Sequence, residues 1–269
     1  MMQAFRLKSV IAAMLMGGLI APGANAAMVT ISFSNSSADH GPALSPFFAA
    51  FHDGSFDPFN VGSAASAGIQ AIAELGNGSI LQTDFLASHA TGVSATVAAS
   101  VNGFGPGIFL PGASGQVTLN LDPVQNRYLS YFAMVVPSND RFIGNDSPTE
   151  IELFDANGHF QSVLHTDTGS SIWDAGTEVD GLFGAAFITG SNATERTAQN
   201  GVIATDDDFS RYGNQPTPAG YTFNDLPNAT SPLLTISATA VPEPGALWLL
   251  GSALPILSVF RRRNGKGAA

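Results

Sequence analysis

The chemistry this sequence offers rests on oxygen donors. None of its 269 residues is cysteine, so thiolate metal sites, cysteine nucleophiles and disulfides are excluded. The five histidines are His40, His52, His89, His159 and His165, and no two share the i, i+4 spacing of a helical zinc site. There is no G-x-S-x-G elbow, phosphate-binding loop or dinucleotide fingerprint. No carboxylate pair is marked out for glycoside hydrolysis, so the chain is not expected to be an enzyme. Acids remain. Asp206-Asp207-Asp208 lacks the spaced donors and turn glycine of an EF-hand loop and reads as a solvated loop. Asp155-Ala156-Asn157-Gly158 lacks the later ligands of such a loop and reads as a hairpin turn. Two segments stand out: residues 135–144 (VVPSNDRFIG), which hold Asp140, and residues 172–178 (IWDAGTE), which hold Asp174 and Glu178. Taken alone, Asp140 after Pro137-Ser138-Asn139 suits a turn, and Asp174 before Ala175-Gly176 suits an Asx-turn. Either is also a hard oxygen donor for a cation.

The elements that must hold these loops are mostly strands. Residues 28–34, 92–101 and 116–122 alternate apolar with small or polar side chains, the period of a half-buried strand. Residues 129–136 are nearly continuously apolar, as expected of a central strand. Residues 149–154 and 160–164 flank the Asn157-Gly158 turn, and residues 233–239 suit a closing strand. One helix is expected over residues 63–75, with Gly76 as its stop. Residues 191–221 read as a long polar loop. Many strands with one or two short helices predict an all-β, antiparallel β-sandwich.

Charge narrows the partners. Six of the ten basic residues lie near the two ends of the chain. Residues 27–240 hold only Arg127, Arg141, Arg196 and Arg211 against 20 acids, a net charge of −16. Such a domain repels nucleic acid and anionic membranes and attracts cations.

Both ends read as addresses. Arg6 and Lys8, the apolar residues 10–20 and Ala24-Asn25-Ala26 form a secretory signal over residues 1–26, and eleven apolar residues are too few to span ~30 Å of hydrocarbon. Residues 27–240 form the domain. Residues 241–269 begin with Val241-Pro242-Glu243-Pro244, continue with an apolar run over 246–260 and end in Arg261-Arg262-Arg263. As a helix the run covers about 22 Å at ~1.5 Å per residue, and the basic triplet favours the cytoplasmic side. This tail resembles the PEP-CTERM sorting signal of Gram-negative bacteria. That resemblance implies transient anchoring by the short transmembrane segment and processing by an exosortase-type enzyme. It also implies a final place at the cell surface or in the extracellular matrix.

The two loops carry a second resemblance. With Ala73-Glu74-Leu75-Gly76, His52-Asp53, Val61-Gly62 and Ala65-Ser66, they resemble the spondin N-terminal domain family over roughly residues 29–190, most specifically in Trp173-Asp174-Ala175-Gly176-Thr177. The family fold is a C2-like antiparallel β-sandwich that binds Ca²⁺ between these loops. Carried over residue by residue, the ligands are Asp140, Asp174 and, where the family has aspartate, Glu178. Three clustered carboxylates without a cation cost on the order of 1–4 kcal/mol per close pair near a surface. The resemblance implies an exported adhesion or binding protein with a polysaccharide, lipid or surface protein as ligand. The alternatives are a structural matrix component or, less in keeping with the residues, a polysaccharide hydrolase.

Overall fold

The computed structural model describes residues 26–242. The expected signal peptide, and the sorting tail from Glu243 onward, including Pro244, Arg261, Arg262 and Arg263, lie outside the described residues; only Pro242 of that motif is within them. Among the described residues no helix is long and apolar enough to cross a membrane.

The strands, in chain order, begin with β1 (Ala27–Asn35), β2 (Ala43–Leu44) and β3 (Phe47–His52). Two helices follow, α1 (Ala67–Leu75) and α2 (Ser79–Ser88). Then come β4 (Val93–Val97), β5 (Val101–Phe104), β6 (Ile108–Leu121), β7 (Tyr128–Val136) and β8 (Arg141–Gly144). The chain continues through β9 (Ile151–Glu152), β10 (Val163–Thr168), β11 (Ile172–Asp174) and β12 (Ala204–Thr205). It finishes with β13 (Gln215–Pro216), β14 (Thr222–Phe223) and β15 (Pro232–Ala240).

All pairings of these strands are antiparallel. One layer runs β10-β15-β1-β6, with β5 on β6; the other runs β7-β8-β11-β12, with β3 and β9 on β7 and β4 on β3. Short β2 pairs with both β6 and β7, so the layers form one curled sheet closed over a core. This is the all-β sandwich that the alternation predicted.

The alternating strands place one face on that core. In β1, Val29, Ile31 and Phe33 are buried and meet Leu129, Tyr131 and Val135 of β7 and Ile236 and Ala238 of β15 in one cluster. The outward positions of β1 carry Thr30, Ser32 and Ser34. Strands β3 and β7 differ, because both of their faces are covered. Phe47, Ala49 and Phe51 face the inter-layer core, while Phe48 and Ala50 face a second cluster with Ile69, Ile72, Leu81, Phe85 and Phe132. The helices supply that second cover, which is why residues 129–136 read as an unbroken apolar run.

Helix α1 starts where its sequence allows. Ser66 caps it by accepting from the Ile69 N–H at 3.2 Å, and Gly76 ends it with φ +62°. Helix α2 was not expected, and its presence explains the apolar residues after Asn77: Leu81 and Phe85 are buried against β3. The single strand expected over residues 92–101 is two. β4 pairs with β3 in one layer and β5 with β6 in the other, so the chain crosses between layers at residues 98–100. The Asn157-Gly158 turn is a hairpin turn, with an Asp155 N–H to His159 C=O bond of 2.9 Å and Gly158 at φ +80°.

Candidate metal centre

The sandwich brings the two acidic loops together through one strand pair. β8 pairs antiparallel with β11 in the register Arg141↔Asp174, so the residue entering β8 sits beside the residue ending β11. Asp140 precedes β8, and its carbonyl accepts from the Ala175 N–H at 3.1 Å. Asp140 is fully buried. Its Oδ2 accepts from the Thr177 N–H (2.7 Å), the Glu178 N–H (2.8 Å) and Thr177 Oγ1 (3.1 Å). Its Oδ1 is buried with no hydrogen-bond partner. Asp174 Oδ1 accepts from the Gly176 N–H at 2.6 Å, the bond of an Asx-turn.

Asp140, Asp174 and Asp180 each offer a carboxylate oxygen within 4.8 Å of the others. Oxygens on one Ca²⁺ lie ~2.3–2.6 Å from it, hence at most about 5 Å apart, and this spacing fits such an ion. Burial, then the neighbouring Asp140, pushes the Asp174 carboxyl up to about 6. Burial raises Asp140 as well, against the pull of its three donors. Both shifts come first from burial; a neighbouring carboxylate adds to each, and Arg141 opposes the rise at Asp174.

The family model described as Spondin_N matches residues 32–207, more than half of the chain and all of this site. The chain belongs to the Spondin_N family. Membership points to a secreted or extracellular protein. No curated protein matches the chain.

Within this Spondin_N domain the three carboxylates that meet are not the three expected. Asp140 and Asp174 come together as the two loops predicted, and Glu178 stands outside the group. Glu178 is buried, and its Oε1 accepts from Asn139 Nδ2 at 3.0 Å, while its place beside the two aspartates is taken by Asp180. The two acids share the inward side of an extended stretch, and Val179 between them faces outward, 46% exposed. The acid two residues beyond Glu178 was therefore the signal for Asp180.

Asp180 is braced from behind. Its Oδ2 accepts from Arg141 Nη2 at 2.9 Å, and its Oδ1 accepts from the Tyr212 hydroxyl. Arg141 also reaches Asp206 at 2.7 Å, and its guanidinium lies over the Phe209 ring, 4.6 Å from the centroid. Asp206 of the acidic triplet is thus an ion-pair partner of Arg141. Trp173 packs on Phe59 and donates to the Gly144 carbonyl at 2.8 Å, a structural role.

Gly176 is the position where the loop tolerates least. It sits at φ +67°, and a Cβ there would lie 2.7 Å from both Val202 N and Val202 O. Gly176→Ala is expected to cost about 1–3 kcal/mol through left-handed strain and backbone overlap. It should also weaken Ca²⁺ uptake, because the Asp174 turn donates through this residue. Urea unfolding and calorimetric titration measure the two effects; unchanged values for both would show the loop to be loosely held.

Proposed function

We propose that this is an exported binding protein of the cell surface or extracellular matrix whose recognition loops are braced by one Ca²⁺. Asp140, Asp174 and Asp180 would hold the ion. The observation that carries the reading is Asp140: a fully buried carboxylate with three donors on one oxygen and none on the other, facing two more acids. An unpaired buried carboxylate oxygen is costly, and a cation satisfies it. Ca²⁺ suits an all-oxygen set whose remaining positions can be filled by loop carbonyls and water; Mg²⁺ demands stricter octahedral geometry. When bound, the ion would screen the three carboxylates and tie the β7–β8 connection to the segment after β11.

The same reading takes residues 1–26 as a secretory signal and residues 241–269 as a tail cut by an exosortase-type enzyme. Among the described residues the first strand starts at Ala27 and the last ends at Ala240, in keeping with those boundaries. The partner is a polysaccharide, lipid or surface protein presented outside the cell. The loops serve binding and no catalytic step is assigned to them.

Thermal melts in Ca²⁺ and in EGTA, with calorimetric titration, test the site. At a hundredfold excess over Kd the ion should add about 2.7 kcal/mol, a rise of roughly 5–10 °C for a domain of this size. Asp174→Ala should abolish that rise. Superimposable melts together with no measurable Ca²⁺ uptake would dismiss the site. Lost adhesion in a folded Asp174→Ala protein supports recognition, whereas lost fold alone marks the ion as structural.

A further inference from the structure

In the acidic triplet Asp206-Asp207-Asp208 only Asp206 has a partner that accounts for it, Arg141. The backbone here is fixed. The Asp206 N–H donates to the Ile172 carbonyl at 3.1 Å, Asp206 Oδ1 accepts from the Asp208 N–H at 2.8 Å, and Asp208 Oδ1 accepts from the Ser210 N–H at 2.9 Å. Two clefts share Asp206 as a wall. One, of about 300 Å³, is lined by Arg141, Asp180, Asp206, Asp208, Ser210 and Arg211. The other, of about 210 Å³, has Ser170, Thr205 and Asp207 in its lining.

Arg141 brings an unmet demand to the first cleft. Its side chain is 1% exposed, and Nη2 serves both Asp180 and Asp206. Nε and Nη1 are buried with no hydrogen-bond partner. The guanidinium lies over the Phe209 and Tyr212 rings, 4.6 and 5.5 Å from their centroids, so it is held in place. Idle buried donors are costly and call for an acceptor. Nearer the surface, Arg211 and Asp207 form no ion pair among the described residues.

We infer that the two clefts form one trough for a neutral carbohydrate chain, with Arg141 and Arg211 donating to sugar oxygens and the triplet accepting from sugar hydroxyls. This deepens the binding role proposed above and rests on that reading for the protein's place outside the cell, but it does not use the cation. The ligand class follows from the lining. An anion in the first cleft would face Asp180, Asp206 and Asp208, and a cation would face Arg141 and Arg211. A hydroxyl donates and accepts at once, so a row of hydroxyls answers interleaved acids and arginines without a net charge. Ser170 and Thr205 continue the polar lining into the second cleft. Two small clefts with a common wall suit a ligand that repeats its hydroxyls along a chain better than one bulky molecule. Because the fork and the acidic turn are already held, little ordering remains to be done on binding.

Saturation-transfer NMR on the full chain tests this. The probes are pentasaccharides of β-1,4-glucan, α-1,4-glucan and β-1,4-mannan, with sialyllactose and spermidine as anionic and cationic counterparts. At least one neutral pentasaccharide should bind, with an affinity that moves by no more than about twofold between low and high salt. Arg211→Ala and Asp207→Ala should each weaken it about tenfold, as expected for one charge-assisted hydrogen bond. Asp39→Ala, at an exposed acid between β1 and β2, should leave it unchanged. Thermal melts of all three variants should match the parent, so that lost binding is not lost fold. No response from any neutral pentasaccharide overturns the inference. So does undiminished binding by both trough variants, or a stronger response from sialyllactose or spermidine that fades in salt. The titrations are run in Ca²⁺ and in EGTA with Ca²⁺ uptake measured alongside. Glycan binding without Ca²⁺ uptake strikes the cation site alone, and Ca²⁺ uptake without glycan binding strikes this inference alone.

Discussion

Arg141→Leu is expected to lower the unfolding free energy by about 3 kcal/mol, the low end of what breaking a buried ion pair costs. The guanidinium is 1% exposed, bonded through Nη2 to Asp180 and Asp206, and stacked on Phe209. Leucine fills part of the space but leaves two carboxylates facing it. Those partners are 24% and 32% exposed, so water recovers some of the loss, which sets the estimate at the low end. At roughly 2–4 °C per kcal/mol the melting temperature should fall by about 6–12 °C. Arg141→Lys should restore little of it, because a single ammonium does not reproduce a flat guanidinium that stacks on a ring and reaches two acids. A Leu variant melting within a degree or two of the parent protein would show that this cluster does not brace the site.

Acid should act through His52. The residue is fully buried; its Nδ1 accepts from the Gly54 N–H at 3.0 Å, which fixes the proton on Nε2, 2.9 Å from Ser130 Oγ. Protonation would set a second hydrogen against the Gly54 N–H and place charge near His89. Burial first, and His89 second, depress the imidazole to about 4, with Asp53 opposing. The unfolded chain binds this proton near pH 6.5 and the fold refuses it until about pH 4, so stability is intact above pH 6.5 and is lost as pH falls between those values. The loss amounts to about 3 kcal/mol at ~1.36 kcal/mol per unit. Carboxyls raised by burial, among them Glu150 and Asp174, change stability in the opposite direction over the acid range, so the measurement is a difference. Between pH 7 and 4.5 the native protein should lose more stability in urea than His52→Gln does. Parallel losses would refute the assignment.

Much of the sandwich was legible, and the failures have causes. β1 and β15 announced themselves because each has one wet face, and β7 because it has none. α1 showed both its apolar spacing and its glycine stop. α2 hid because Ile80 and Leu86, 39% and 49% exposed, blur the stripe formed by Leu81 and Phe85. β6 was cut short in the reading, since Gly112 and Gly115 look like breakers; Gly115 instead lies in the ladder where a Cβ would strike the Ala98 carbonyl at 2.1 Å. At the site, Asp140 and Asp174 stood out because turn residues surround them. Asp180 and Arg141 did not, because whether a surface-type residue turns inward depends on partners far along the chain, here Tyr212 and Asp206.

The last strand has a consequence for how the molecule comes into being. β15 lies between β10 and β1, with Ala240 opposite Val29, so the earliest strand waits for the latest across roughly 200 intervening residues, a long loop to close. A chain delivered from its N-terminus cannot seal this layer until nearly all of it has emerged, and until then β1 and β10 present open edges that invite pairing with other chains. Truncation before Pro232 would make that interval permanent, so degradation or aggregation, and not a smaller domain, is the fate of an incomplete copy.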